Sequence, residues 1–272
     1  MERLDLSSLE ILNLISIGLS SYNFHNHVAS DIGIKHSYLD PQNIKSQEYL
    51  NKVSDWTDQN EMMLNCNKTK YMVFNYSKLY QFNTRLELEN QPLEQVHQTK
   101  LLGLVIRDDL SWKPNTKLLT VKAYKRMIIL KNLFHFDLPV YEMMNIYCLY
   151  IRSVVEQCAV VWHGSLTKGE QHDLERIQKV SLRIILQENY TTYSDALKAT
   201  GLATLKARRA KLCLNFDKGC VKNSVTSDIF PVNSSTANTR NHEKYFVYPA
   251  KTGRLAKSAI PYMAGLLNSN VK

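Results

Sequence analysis

The apolar residues of this chain change their period once, near Trp112, and that change limits what the chain can fold into more than any other feature. Upstream, "KYMVFNY", "RLELENQPLEQV" and "KLLGLVIR" are short β-rich runs separated by turn residues, which predicts three strands. Downstream, from Lys113 to about Gly219, apolar positions recur at the helical period. Helices are expected over roughly 116 to 135, 140 to 162, 168 to 187, 193 to 200 and 204 to 218. Thr167 with Glu170 forms a capping box before the third of these, and Gly201 and Gly219 stand where helix C-terminal glycines belong.

One helix precedes the strands. Asp40 caps it, Pro41 lies in its first turn, and Ile44, Leu50, Val53 and Trp56 recur on one face as far as about Gln59. The first 20 residues read as the tail of a strand followed by a helix. "SYNFHNHVASDIGIKHSYL" has no sustained period and reads as a loop with His25, His27 and His36 solvated. A helix on a small antiparallel sheet, followed by an all-helical region, is an α+β fold. The expected parts are 1–112, a helical region 113–222 and a basic, weakly periodic tail 223–272.

The 44% apolar content is enough for a buried core. The longest apolar run, Leu9 to Leu19, is interrupted by Glu10 and Asn13 and falls far short of the roughly 18 residues of a membrane span. No membrane partner is expected. The 5 cysteines contain no C-x-x-C pair, so they read as reduced thiols of an intracellular protein, nuclear or cytoplasmic, with Cys148 and Cys158 packed in a helix core. Net charge is +9 and unevenly placed: residues 1–110 carry 10 basic against 14 acidic side chains, and residues 111–272 carry 24 against 11. A basic C-terminal region suits a polyanion, nucleic acid first.

Two adjacent carboxylates, Asp108 and Asp109, follow "LLGLVI". Paired carboxylates at a strand end can hold the metal ions of phosphoryl transfer, but Asp is also a favoured turn residue. The two readings separate once longer stretches are considered.

"LNKVSDWTDQNEMMLNCNKTKYMVF", "LEQVHQTKLLGLVIRDDLSWKPNT", "IRSVVEQCAVVWHGSLTKGEQHDLERIQKVSLRIIL" and "LKARRAKLCLNFDKGC", in that order, resemble the C-terminal portion of reverse transcriptases of non-LTR retrotransposons. The resemblance covers the chain to about residue 222. It implies the end of a palm followed by a thumb-like helical region, an RNA template, a DNA primer and, in the intact family, Mg2+. The opening "RLDLSSLEIL" is similar to the segment that starts at the family's Asp-Asp hairpin. On that alignment Asp5 is the second aspartate, a remnant catalytic and metal-binding residue, and Leu4 stands at the first. Leucine cannot ligate a hard cation. The resemblance further places the third metal-binding aspartate upstream of this segment.

By the same resemblance Asp108 and Asp109 occupy the turn into the thumb, and "LLGLVI" with Gly103 is the primer grip, although a bulge also explains that glycine. Lys68 matches the lysine proposed to protonate departing pyrophosphate, with a solvated loop lysine as the alternative. Lys113, Lys117, Lys122, Lys125, Arg126, Arg183, Arg208 and Arg209 are the expected phosphate contacts of the thumb. The expected function is a fragment of an RNA-directed DNA polymerase that is inactive as it stands, or a non-catalytic module that holds template-primer duplex.

Overall fold

The computed structural model describes residues 12–20, 29–37, 44–74, 85–224, 226–233, 244–247, 249–250 and 253–270. The chain divides into two compact units, Met1–Ser111 and Trp112–Lys272, at the point where the period changes. The first is mixed and the second helical, so the fold is α+β.

In the first unit, β1 (Leu12–Ser20) pairs antiparallel along its whole length with β2 (Ala29–Ser37). Both are corrections, because a helix was expected within the first of these stretches and a loop over the second. Helix α1 (Ile44–Gln59) follows, and its expected cap Asp40 and Pro41 lie outside the described residues. The short β3 (Met63–Leu64) and β4 (Lys70–Phe74) also pair antiparallel with β1. Strands β5 (Glu87–Leu88) and β6 (Gln91–Pro92) form a hairpin, and β7 (Glu94–Gln95) pairs parallel with β4. The sheet order is β2-β1-β4-β7, with β3 alongside β1.

Leu50 from α1 is fully buried against Leu64, Tyr71, Val73, Leu86, Leu88 and Leu93. Gln47 fastens the same helix to β5 by bonding both backbone groups of Glu87, accepting from its N–H at 3.0 Å and donating to its C=O at 2.7 Å. Trp56, expected on the buried face, is 50% exposed. Strand β4 is buried on both faces, Tyr71 and Val73 on one and Met72 and Phe74 on the other.

"KLLGLVIR" is not one strand but a hairpin, β8 (Gln98–Leu101) paired with β9 (Leu104–Arg107). Leu102 and Gly103 form its two-residue turn at φ 48° and 84°. Both central residues at positive φ make a primed turn, whose twist matches paired strands. Gly103 is therefore a turn residue rather than a bulge.

The second unit starts with α2 (Lys113–Leu133), continued by a 3-10 turn to Phe136 and ended by Asp137 in the left-handed region. The single helix expected over 140–162 is broken. Helix α3 (Val140–Ile146) runs through a π-helical turn, Tyr147–Arg152, into α4 (Ser153–Glu156), and left-handed Cys158 separates these from α5 (Ala159–Trp162). The Trp162 indole donates to the Gln157 carbonyl at 2.9 Å, a contact that spans the break. Cys158 is exposed and Cys148 half-buried, so neither is the core cysteine expected; Cys213 and Cys220 are buried instead.

Then follow α6 (Lys168–Leu186), α7 (Tyr193–Thr200) and α8 (Leu205–Lys222). The Thr167/Glu170 capping box is present, and Gly201 ends α7 at φ 65°. Gly219 does not end α8, which runs on to Lys222. The region after residue 222, expected as a tail, supplies core. Phe230, Tyr245, Met263, Ala264 and Leu267 bury against Cys213 and Cys220; the last three come from α10 (Ala259–Asn270), which follows the single turn α9 (Gly253–Ala256), and Phe230 and Tyr245 precede both helices. The buried Asn268 amide pairs with both backbone groups of Tyr245 at 2.9 Å.

Inside this core the Asp217 carboxylate is fully buried and neither oxygen has a hydrogen-bond partner. Burial pushes its pKa up from 3.8 to about 7. The folded state thus keeps a proton that the unfolded chain releases, and the full stability is present below pH ~4 and lost as pH rises towards 7. The loss is on the order of 4 kcal/mol at most. Asp217→Asn removes it, so the stability advantage of the variant over the parent chain, read from denaturant midpoints of the two at the same pH, should grow as pH rises from 4.5 to 8, while the opposite-signed contribution of His163 is common to both and cancels in the difference.

Candidate nucleic-acid interface

At about 100° per residue, α2 sorts its side chains into two faces. Leu119, Ala123, Met127 and Leu130 are buried, and α2 packs on α6. Lys117 and Lys125 lie opposite them and Lys113 and Lys131 on the flank beside Met127, all four exposed, within an arc of roughly 120°. Val121 and Ile128 sit in the same arc, 45% and 55% exposed. The lysine track from Lys113 to Lys131 is about 27 Å long, the length of roughly eight base pairs.

Lys122 and Arg126 fall on the flank and are half-buried. The Arg126 guanidinium lies 4.5 Å from the Tyr150 ring centroid and donates to the Tyr150 carbonyl at 2.7 Å, so it holds the π-helical turn rather than standing free. Arg183 is exposed near the end of α6, with its guanidinium over the Tyr190 ring.

Arg208 and Arg209 are corrections. Arg208 is half-buried and pairs with Glu156, which also lies 3.7 Å from Arg152. Arg209 is fully buried; its Nε donates to His163 Nδ1 at 3.4 Å and its guanidinium lies 5.7 Å from the Trp162 ring. It cannot reach a phosphate. Burial, with the charges of Arg209 and Lys206, pulls His163 down to about 4, which keeps that imidazole neutral as an acceptor. A sequence signal for this was available, because Leu205, Arg209, Cys213, Asp217 and Cys220 fall on one face of α8.

In the first unit Lys68 is exposed in the turn between β3 and β4, its backbone N–H bonded to Asn65. Asp108 bonds His97 Nδ1 at 2.6 Å, and Asp109 accepts from the Ser111 N–H at 2.9 Å and lies 3.3 Å from Arg107 Nε. Both aspartates are committed to the turn. Leu4 and Asp5 lie outside the described residues. Among the described residues no group of three His, Cys, Asp or Glu side chains could hold a metal ion. Nothing among the described residues therefore supplies the carboxylate set that the implied Mg2+ needs. No described helix is long and apolar enough to cross a membrane.

The sequence reading did not single out Lys131, Phe134 and His135, which extend the exposed face of α2 to its C-terminal end. The i, i+4 spacing of lysines and apolar residues along α2 was the signal that could have identified the exposed arc. Comparison with protein-family models, with curated proteins and with solved structures finds no match for this chain.

If Arg209 is a core residue, Arg209→Met should keep the fold, with stability changed by no more than about 1.5 kcal/mol, because a buried charge with unpaired N–H groups is replaced by an apolar side chain of similar length. Arg209→Glu should unfold the helical unit. Circular dichroism melts of the two variants make the comparison, and a soluble, fully folded Arg209→Glu protein would contradict the burial.

Proposed function

We propose that this chain is the template-primer-holding portion of a reverse transcriptase of the non-LTR retrotransposon kind, and that its helical unit grips an RNA-DNA duplex by the phosphate backbone. The observation that carries the reading is the arc of Lys113, Lys117, Lys125 and Lys131 on the exposed face of α2. Ammonium groups strung along one side of a rigid helix contact a phosphate backbone without reading bases. Two further facts support it: the ordered series of motifs similar to that family, and the concentration of positive charge after residue 110. In this reading the first unit is palm-like and the second thumb-like.

Polymerisation is not part of the proposal. Leu4 stands where the resemblance puts the first metal-binding aspartate, and a carboxylate pair cannot form there. The chain's own chemistry is binding.

Affinity for a labelled RNA-DNA duplex, measured by fluorescence anisotropy at several salt concentrations, should be independent of sequence and fall steeply with salt. Each phosphate contact contributes a slope of roughly −0.9 in log affinity against log salt. Lys117→Gln with Lys125→Gln should flatten that slope by about two contacts and leave the melting temperature unchanged. An unchanged slope, or no binding at low salt, would refute the reading.

A further inference from the structure

A surface groove opens between the C-terminal ends of α2 and α6, lined by Lys131, Phe134, His135, Arg183, Ile184 and Gln187. Helix C-termini carry about half a negative charge each, and last-turn cations commonly offset it. Here two full positive charges meet two half charges, which leaves a surplus of roughly one before His135 is counted. Asp137 and Glu188, the carboxylates nearest in sequence, do not line the groove. Neither Lys131 nor Arg183 has an acidic partner among the described residues.

The position of Arg183 beside an aromatic ring adds to this. Its guanidinium lies 5.2 Å from the Tyr190 ring centroid. Stacking occupies the face of a guanidinium and leaves the N–H edge to donate, two bonds at a time, to a phosphate. Phe134 is 42% exposed and supplies an apolar wall beside the cations. An anion joined to a flat, weakly polar group would satisfy both surfaces.

We propose that this groove is a nucleotide site: a phosphate held by Lys131 and Arg183, with the base against Phe134. Its chemistry stands apart from duplex binding; it rests on the duplex-holding reading only for one of two sources, a nucleotide at a strand end, the other being a free nucleotide.

The test is titration of the full chain with adenosine 5′-monophosphate, adenosine and inorganic phosphate, followed by amide chemical shifts at the groove. The monophosphate should bind at least fivefold tighter than either adenosine or inorganic phosphate. Lys131→Ala with Arg183→Ala should weaken it at least tenfold, and Phe134→Ala should bring it down to the level of inorganic phosphate. Monophosphate binding no tighter than adenosine, or unaffected by the double variant, overturns the proposal. A second arm compares duplexes whose one-nucleotide overhang ends in a 5′-phosphate or a hydroxyl. Tighter binding of the phosphorylated end, lost in the double variant, assigns the strand end as source; equal binding alongside monophosphate binding assigns the free nucleotide. Duplex binding without monophosphate binding sinks the groove alone. Monophosphate binding without duplex binding sinks the duplex-holding reading alone.

Discussion

The helical unit is organised around one buried amide. Gln178 on α6 is almost fully buried, and a primary amide in that position is tolerated only if its polar atoms are bonded. Its oxygen accepts from the Tyr147 hydroxyl at 2.7 Å, and its nitrogen donates to the Tyr193 hydroxyl at 2.9 Å and the Ala203 carbonyl at 3.0 Å. These three bonds tie the π-helical turn, α7 and the approach to α8 to one point on α6. Tyr193 in turn donates to Glu175, one turn earlier on α6, whose carboxylate accepts from the Leu205 and Lys206 N–H groups and so caps α8. A carboxylate at a helix N-terminus is the favourable sign. Because α2 packs on the same α6, the direction in which its lysines face is set by this network as well.

Other buried charges oppose stability. On α8, Arg209 has two nitrogens without partners and Asp217 two oxygens without partners. They sit on one face about two turns apart, too far along the helix to pair with each other. Arg209 is eased by the Trp162 ring and the neutral His163, while Asp217 is compatible with its surroundings chiefly as the protonated acid. The close packing around them leaves little freedom for rearrangement. A Cβ on Gly164 would fall 2.6 Å from the Tyr262 ring and 2.7 Å from the Lys257 carbonyl, so α10 and its approach seat directly on backbone.

Much of this was legible where local signals agree. The α6 start carried a capping box, α7 ended on a glycine, and both elements lie within a residue or so of their expected bounds. The strands β1 and β2 were missed because "LNLISIGLS" and "ASDIGIKHS" mix alternation with Gly, Asp and His, which are poor strand formers, and only pairing with each other and with β4 decides them. The turn at Leu102 and Gly103 was hidden because a leucine at positive φ is not a usual hairpin signal. For the candidate interface, basic residue types alone did not separate exposed Lys117 from buried Arg209. That distinction depends on which face of each helix the core takes, and the core includes residues after position 222 that have weak periodicity of their own.

The charge partition then bears on how the second unit persists. It carries 24 basic against 11 acidic side chains, and like charges on one compact body repel and lower its stability. The lysines of α2 share their arc with exposed Val121 and Ile128, so the surface is neither a well-solvated charged face nor an apolar docking patch. A polyanion resolves the first difficulty by supplying countercharge, and the methylene stems of lysine cover part of the second. A ligand that binds only the folded state stabilises it by RT ln(1 + [L]/Kd), about 2.7 kcal/mol at a hundredfold excess over Kd. That gain is of the same order as the cost of leaving Asp217 ionised in the core, so the pH range over which the helical unit stays folded is expected to widen when a polyanion is bound.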